Sequence, residues 1–532
     1  MKRRTFMIRA ASVAGAVVAT NVLAFGQNHG GHGKMSGMNH GNMGNMNHGN
    51  MMGEGGHDMA QMISPGYQLG NRTLTTQDIQ TMQNASKDLL SASAIPQGID
   101  LPALPMLKNE SNQPKLFTAT LTAKPVNVEL IKGKPTDFWA YNDSIPGPTI
   151  EVYEGDTVEI TLDNQLPQAT TIHWHGLLVP ADQDGNPQDE VKPGAKRTYK
   201  FTIPEGTAGT YWYHPHGHNT VAEQAYRGLA GVFIVKSKTD PYAKFAQQNW
   251  LFSDLKLQAN GKIAKNSFND WMNGREGQFL LMNGALKPTV NITEPTRVRI
   301  WNACSAKFLN LALENTKVYI IATDGGFLEN PQEIQKLLLT PGERAELLIV
   351  PTKTGKVALK SLAYDRGKMG MVPADPDMVL ATVNLQKRAS VTLPKNIRKL
   401  PIYAKPSIRR LIEYTEVMNH NQLLFLVNGK MHDMNRNDVT VKAGEIEEWV
   451  IFNNSHMDHN FHIHGTQFLV IEHDYNKQKS KPEINGFKDT VNLRPYEKVT
   501  LRFIQDEKGL RMYHCHIFEH ETLGMMGQLM TK

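Results

Sequence analysis

Two cysteines in 532 residues, Cys304 and Cys515, leave no material for a disulfide framework, so burial and hydrogen bonding must hold the fold together. The chain also lacks a strong charge of either sign. Its formal net charge is +6, and Lys2, Arg3, Arg4 and Arg9 supply four of those charges within a first 26 residues that contain no acid. A near-neutral remainder excludes the basic surface that a nucleic-acid partner requires. Beyond residue 24 no stretch is apolar enough to span a bilayer, which takes about 20 consecutive apolar residues. Residues 28–62 contain no Val, Leu, Ile, Phe, Tyr or Trp. With nothing to bury, this segment is expected to be disordered without metal. Histidine (20 residues) and methionine (25) are plentiful instead, and both are metal ligands.

The first 26 residues have the layout of a secretory signal: Lys2-Arg3-Arg4-Thr5-Phe6, an uncharged apolar run over 10–24, then Ala24-Phe25-Gly26. The paired arginines resemble a twin-arginine signal, the export route of proteins that fold before crossing the membrane. An ordinary signal holding two arginines is the plain alternative. Fifteen Ala- and Val-rich residues are too few for an anchor. The expected location is the periplasm, with no membrane attachment after export.

Residues 27–64 form a Met/His-rich low-complexity segment, with ten Gly, eight Met, six Asn and five His over 28–62. Residues 65–114 read as a helix and a linker. Ile79, Met82, Leu89 and Leu90 behind a Thr76 cap predict a helix over 76–93, and Leu101-Pro102-Ala103-Leu104-Pro105 predicts an extended connection. From about residue 115 the chain changes to short runs rich in Val, Ile, Thr and aromatics, divided by Gly, Pro, Asn and Asp. Alternating runs at this spacing predict an all-β protein of antiparallel sandwiches. Glu154-Gly155-Asp156, Pro341-Gly342-Glu343 and Ala443-Gly444-Glu445 each place a turn and an acid just before a run. Three copies predict three related domains, over 115–240, 245–390 and 400–532.

Ten of the fifteen histidines outside the low-complexity segment fall in four clusters: His173-Trp174-His175, His214-Pro215-His216, His459-Asn460-Phe461-His462-Ile463-His464, and His514-Cys515-His516 continuing to His520, with Met525 beyond. In a strand, residues i and i+2 face one side, so each His-X-His presents two imidazoles together. In His514-Cys515-His516 the thiolate faces away from the imidazoles, and one short strand can touch two metal sites. A thiolate, two imidazoles and a thioether suit a copper electron-transfer site. Zinc is the plain alternative, but structural zinc prefers Cys-rich tetrads and leaves eight histidines without a purpose.

These clusters, in this order, resemble the multicopper oxidases, specifically the three-domain bacterial branch of cuprous oxidases and laccases, over about residues 115–532. The resemblance implies three cupredoxin-like domains and four copper ions. It implies a type 1 site at His459, Cys515, His520 and Met525, with Met526 excluded by spacing. It implies type 2 ligands His173 and His462, and a binuclear type 3 pair held by His175, His214, His216, His464, His514 and His516. The trinuclear cluster is then expected between the first and third domains. Asp184 and Glu521 stand where the family keeps acids for proton delivery, with Asp182 and Glu519 as neighbouring candidates. Met457 matches the family's substrate-binding Met, whereas Ser455 stands where an acid is expected. The usual Met-rich insert is reduced to Met369, Met371 and Met378.

The expected reaction is oxidation of Cu(I) to Cu(II) coupled to reduction of O2 to water, in copper tolerance, by a monomer. A laccase acting on phenols or aromatic amines is the second reading, and a non-catalytic copper-sequestering protein the third. Cys304 reads as a small buried residue, Trp174 and Trp212 as packing around the site, and His218, His420, His432, His456 and His473 as structural or surface residues.

Overall fold

Alternating burial along the strands sets the layers. In Leu116–Ile131, Phe117, Ala119, Leu121 and Ala123 point inward, and in Thr157–Asn164, Val158, Ile160 and Leu162 do the same. Strand Arg344–Pro351 is buried along its whole length. The computed structural model describes residues 63–532 except 371, 389 and 407. The expected leader, the Met/His-rich segment up to residue 62 and Met371 lie outside the described residues. Among those described, no helix is long and apolar enough to cross a membrane.

One strand order occurs three times. Lys134–Tyr141, Leu116–Ile131, Thr157–Asn164 and Lys196–Thr202 lie side by side in the first sandwich. Phe279–Met282, Ala246–Leu255, Thr296–Asn302 and Arg344–Pro351 do so in the second, and Gln422–Val427, Ile408–Met418, Ile446–Asn454 and Lys498–Ile504 in the third. In each, the second and third of these strands run parallel, and the others pair antiparallel. A parallel pair needs a crossover. It passes through a strand of the facing sheet, Gly147–Tyr153, Thr289–Ile292 or Val439–Val441. Each crossover strand pairs in parallel with the last strand of its own sandwich.

This order re-registers the sequence repeat. Glu154-Gly155 and Ala443-Gly444 precede equivalent strands, but Pro341-Gly342 precedes Arg344–Pro351, which matches Lys196–Thr202 and Lys498–Ile504. The second sandwich's counterpart of the first two turns is Glu294-Pro295, where Pro takes the place of the turn glycine.

The helix behind residue 75 is shorter than predicted, Thr76–Ala85, and its cap is Thr75. The Thr75 hydroxyl accepts from the Asp78 N–H at 3.2 Å, and the Thr75 N–H donates to the Asp78 carboxylate at 2.9 Å. Asp88 adopts a positive φ of 52° just beyond the end, so Leu89 and Leu90 belong to a separate segment, where the Leu90 N–H donates to the Leu257 carbonyl. Tyr67, Leu69, Leu74, Ile79 and Met82 bury themselves in the core of the third sandwich, the core that also holds Cys515, Met457 and Met525. Residues 101–105 belong to no helix or strand and lie between the isolated bridges Asp100 with Thr289 and Met106 with Thr149.

Candidate metal centres

Cross-strand register brings the histidine clusters together. His173 and His214 exchange backbone hydrogen bonds at 2.8 and 3.2 Å, and His462 is paired with His514. All ten cluster histidines are buried. The ring nitrogens of eight, all but His459 and His520, gather in three groups. His173 Nε2 lies 3.4 Å from His462 Nε2. His175 Nδ1 lies 3.4 Å from His214 Nε2 and 3.2 Å from His516 Nε2. His514 Nε2 lies 3.2 Å from both His216 Nε2 and His464 Nε2. The two imidazoles of each His-X-His thus share a face but divide between neighbouring groups.

Hydrogen bonds on the far side of the rings settle which nitrogen is free. A backbone carbonyl only accepts, so Nδ1 carries the proton in His173 (to Asp184 O, 3.0 Å), His462 (to Asp489 O, 2.9 Å), His214 (to Pro215 O, 2.8 Å) and His514 (to Cys515 O, 3.0 Å). His175 is turned the other way, with Nε2 against the Asp489 carboxylate at 3.1 Å. Lone pairs therefore face lone pairs, in His173 with His462 and in His175 with His214. Burial also pushes the imidazolium forms of His175, His214, His216, His464, His514 and His516 well below the usual range, so these rings are neutral. Neutral nitrogens held this close repel unless a cation lies between them, and imidazole is a ligand of copper.

The structure separates the acids. Asp184 is buried, 3.2 Å from His173 Nδ1, 3.4 Å from His464 Nδ1 and 3.1 Å from Arg511. Glu521 is buried 3.2 Å from both His216 Nε2 and His514 Nδ1, and burial with nearby Cys515 and Glu519 raises its carboxyl well above the carboxylate range. Asp182 is exposed. Glu519 accepts from the Arg275 N–H, Ser305 and Asn266.

Sequence reasoning missed Asp489, Arg344 and Glu416, none of which carries a motif. Arg344 comes from the second sandwich and forks onto Asp489 at 2.6 and 2.7 Å, and Asp489 holds His175 through its side chain and His462 through its carbonyl. Burial alone would raise the Asp489 carboxyl, but Arg344 and His462 hold it well below its usual range. Gly176 makes room for this pair. Its φ is +86°, and a side chain there would collide with both Arg344 and Asp489.

A separate group lies in the third sandwich. His459 Nδ1 and His520 Nδ1 are 3.2 Å apart, and Cys515 Sγ is 3.5 and 3.9 Å from them. His520 Nε2–H donates to the Met272 carbonyl at 3.2 Å, and His459 Nε2–H to Glu416 at 3.0 Å. Both Nδ1 atoms therefore face the thiolate. Burial lowers the His459 imidazolium, but Cys515 and Glu416 outweigh it and push it up to about 9. Met525 is buried in the same core, pinned by Cys515 N–H to Met525 O at 3.1 Å and Met525 N–H to His520 O at 2.9 Å. Phe425 stacks on His520 at 4.1 Å. Trp212 packs 4.4 Å from His214 and 5.1 Å from His175, while Trp174 belongs to the first core. Of the histidines without a motif, His456 faces Glu416 at 3.3 Å, His473 pairs with Glu497 at 2.8 Å, His218 lies beside His432, and His420 is exposed.

A thiolate centre joined through one Cys to flanking histidines, beside eight further histidines in three groups, is the site of an oxidase that gathers single electrons for dioxygen. Profiles described as "Multicopper oxidase" match residues 122–240 and 403–532, and the chain belongs to the multicopper oxidase family. It is 33% identical over 466 residues to the multicopper oxidase mco of Staphylococcus haemolyticus (strain JCSC1435), covering 85% of this chain and 97% of that one. Its fold matches the Campylobacter jejuni multicopper oxidase, described as a metallo-oxidase, with a TM-score of 0.81 and 46% identity over 84% of this chain and 98% of that one. A laccase-like multicopper oxidase from Ochrobactrum sp., described as active towards lignin model compounds, matches with a TM-score of 0.71 and 26% identity over 81% of this chain and all of that one. The protein is an oxidoreductase that binds copper and uses O2 as electron acceptor.

Proposed function

We propose that this oxidase takes its electrons from Cu(I), in the periplasm, as part of copper tolerance. Four Cu(I) ions give four electrons, which with four protons reduce one O2 to two waters. His459, Cys515, His520 and Met525 would hold a copper that supplies one-electron chemistry, and the eight remaining histidines would hold the coppers that supply reduction of O2. Every other contribution is made by the chain itself.

The observation that carries the Cu(I) reading is the carboxylate on His459. Glu416 receives the His459 Nε2–H on one oxygen at 3.0 Å, and its other oxygen lies 3.3 Å from Nδ1 of His456, whose side chain is 51% exposed. An incoming cation thus meets an imidazole and a carboxylate joined by a hydrogen bond to a copper ligand. Ser455, in the position of the expected acid, instead donates to Asn453 and braces a turn, so Glu416 supplies the charge from another strand. Met457 is 0% exposed, which leaves His456 as the exposed donor beside it. The soft side chains Met272, Met369 and Met457 share the core of Cys515. Ile63, near the C-terminal end of the Met/His-rich segment, also packs on that core. The segment thereby raises the local Cu(I) concentration without adding a catalytic group. Export to the periplasm rests on the layout of residues 1–26.

Turnover of Cu(I) and of a phenol, compared on the copper-loaded protein, tests the reading. His456→Ala and Glu416→Gln are expected to lower kcat/KM for Cu(I) about tenfold, roughly 1.4 kcal/mol of transition-state stabilisation, with the phenol within about twofold. Deleting residues 28–62 should slow turnover only at low Cu(I). Equal losses on both substrates would favour the laccase reading.

Proton supply is assigned to Asp184 and Glu521, buried against His173 and His464 and against His216 and His514 respectively. Asp184→Asn and Glu521→Gln are each expected to slow O2 reduction about a hundredfold, the usual contribution of a positioned acid, while the thiolate copper stays blue and reducible. Unchanged steady-state O2 consumption in both variants would remove the relay.

A further inference from the structure

We propose a fifth metal site, for a soft monovalent cation such as Cu(I), between His218 and His432. The fold brings these two motif-less histidines to 6.0 Å between ring centroids, with the planes at 52°. At this separation one ion can bond a nitrogen of each ring. Both ring nitrogens of His432 are buried and neither has a hydrogen-bond partner. Leaving a buried polar group unmatched is costly, which points to an occupant. Burial and the neighbouring His218 push the His432 imidazolium down to about 4, so its ring offers a lone pair at neutral pH.

The rings open on a cavity of about 20 Å³ whose wall includes Met431 and Met526. Such a space holds one ion or one water. Two imidazoles beside two Met side chains favour Cu(I) over hard cations that prefer oxygen, and the carboxylate in the wall, Glu521, has its oxygens on His216 and His514. Both histidine backbones are fixed beforehand: the His218 N–H donates to Glu190 at 2.7 Å and the His432 N–H to the Gly524 carbonyl at 3.0 Å. His218 belongs to the first sandwich, His432 to the third, and Asn71, also in the wall, to the N-terminal segment, where it donates to Asn219 at 3.4 Å. A cation here clamps three parts of the chain along one seam. Neither His218 nor His432 belongs to the ligand groups of the oxidase centres, and Glu521 lies between the cavity and His216 and His514.

Silver ion, a redox-inert soft probe, tests the site on the copper-loaded, full-length protein. The expected results are an anomalous density peak between His218 and His432 in silver-soaked crystals and a rise in Tm with Ag+. In His432→Ala the peak is lost, one Ag+ equivalent disappears from the titration and the Tm rise is smaller, with blue absorption and phenol turnover unchanged. Should His432→Ala fold poorly, Met431→Leu keeps the volume and is expected to weaken silver binding at this site about tenfold. A water at that position at saturating Ag+, the same number of Ag+ bound by wild type and variants, or Zn2+ taking the cavity in preference to Ag+ would overturn the proposal.

Discussion

Cys515→Ser is expected to erase the blue absorption and reduce turnover to background, while Cys304→Ser leaves both intact. Cys515 is the only thiol within reach of two imidazole nitrogens, 3.5 Å from His459 and 3.9 Å from His520, and blue-copper sites depend on a thiolate ligand. It is also the covalent link from that centre to His514 and His516, which sit in two other ligand groups. Serine keeps the chain path but removes the soft ligand. Cys304 lies in the core of the second sandwich with Asp254 as its side-chain hydrogen-bond partner, so a serine there keeps a partner for its hydroxyl, costs at most about 1 kcal/mol of stability and touches no metal ligand. Visible absorption and O2 uptake on the purified variants decide it; a blue, active Cys515→Ser protein would end the assignment.

Arg344→Met is expected to strip the histidine-only centre while leaving the thiolate copper blue. The Arg344–Asp489 pair is fully buried, and removing one partner of a buried ion pair costs about 3–5 kcal/mol, because the other charge is left without a counterion. Asp489 then no longer has its fork, and His175 and His462 lose their orientation together. Lysine does not restore it, since Arg344 also donates to the carbonyls of Thr210, Gly342 and Asp324. Asp489→Asn in the Arg344→Met background should recover part of the stability but not the copper. Thermal unfolding and metal content measure both effects. Full copper with unchanged Tm would show the pair to be incidental.

The ligand set was legible in the chain because metal chemistry restricts residue type and strand geometry restricts spacing. His-X-His and His514-Cys515-His516 are local patterns, and three of the four third-sandwich ligands, Cys515, His520 and Met525, fall within eleven consecutive residues. The all-β architecture was legible for the same reason, since alternation such as Phe117, Ala119, Leu121 is written along a single strand. Where the signal depended on a boundary it failed: Thr75 rather than Thr76 caps the helix, and Asp88 at positive φ ends it before Leu89.

By itself, then, the sequence determined which side chains carry the chemistry and that they are displayed on strands. The family resemblance already set His173 and His462 apart; only the tertiary structure decided how the other six histidines divide into two groups, because that depends on the register of His173 against His214 and of His462 against His514. It alone placed Arg344 of the second sandwich on Asp489, Glu416 on His459, and His218 beside His432. Each of those contacts joins residues 43 to 214 positions apart. A buried charge or imidazole acquires its role from the partner that desolvation forces on it, and a partner that distant leaves no local pattern to read.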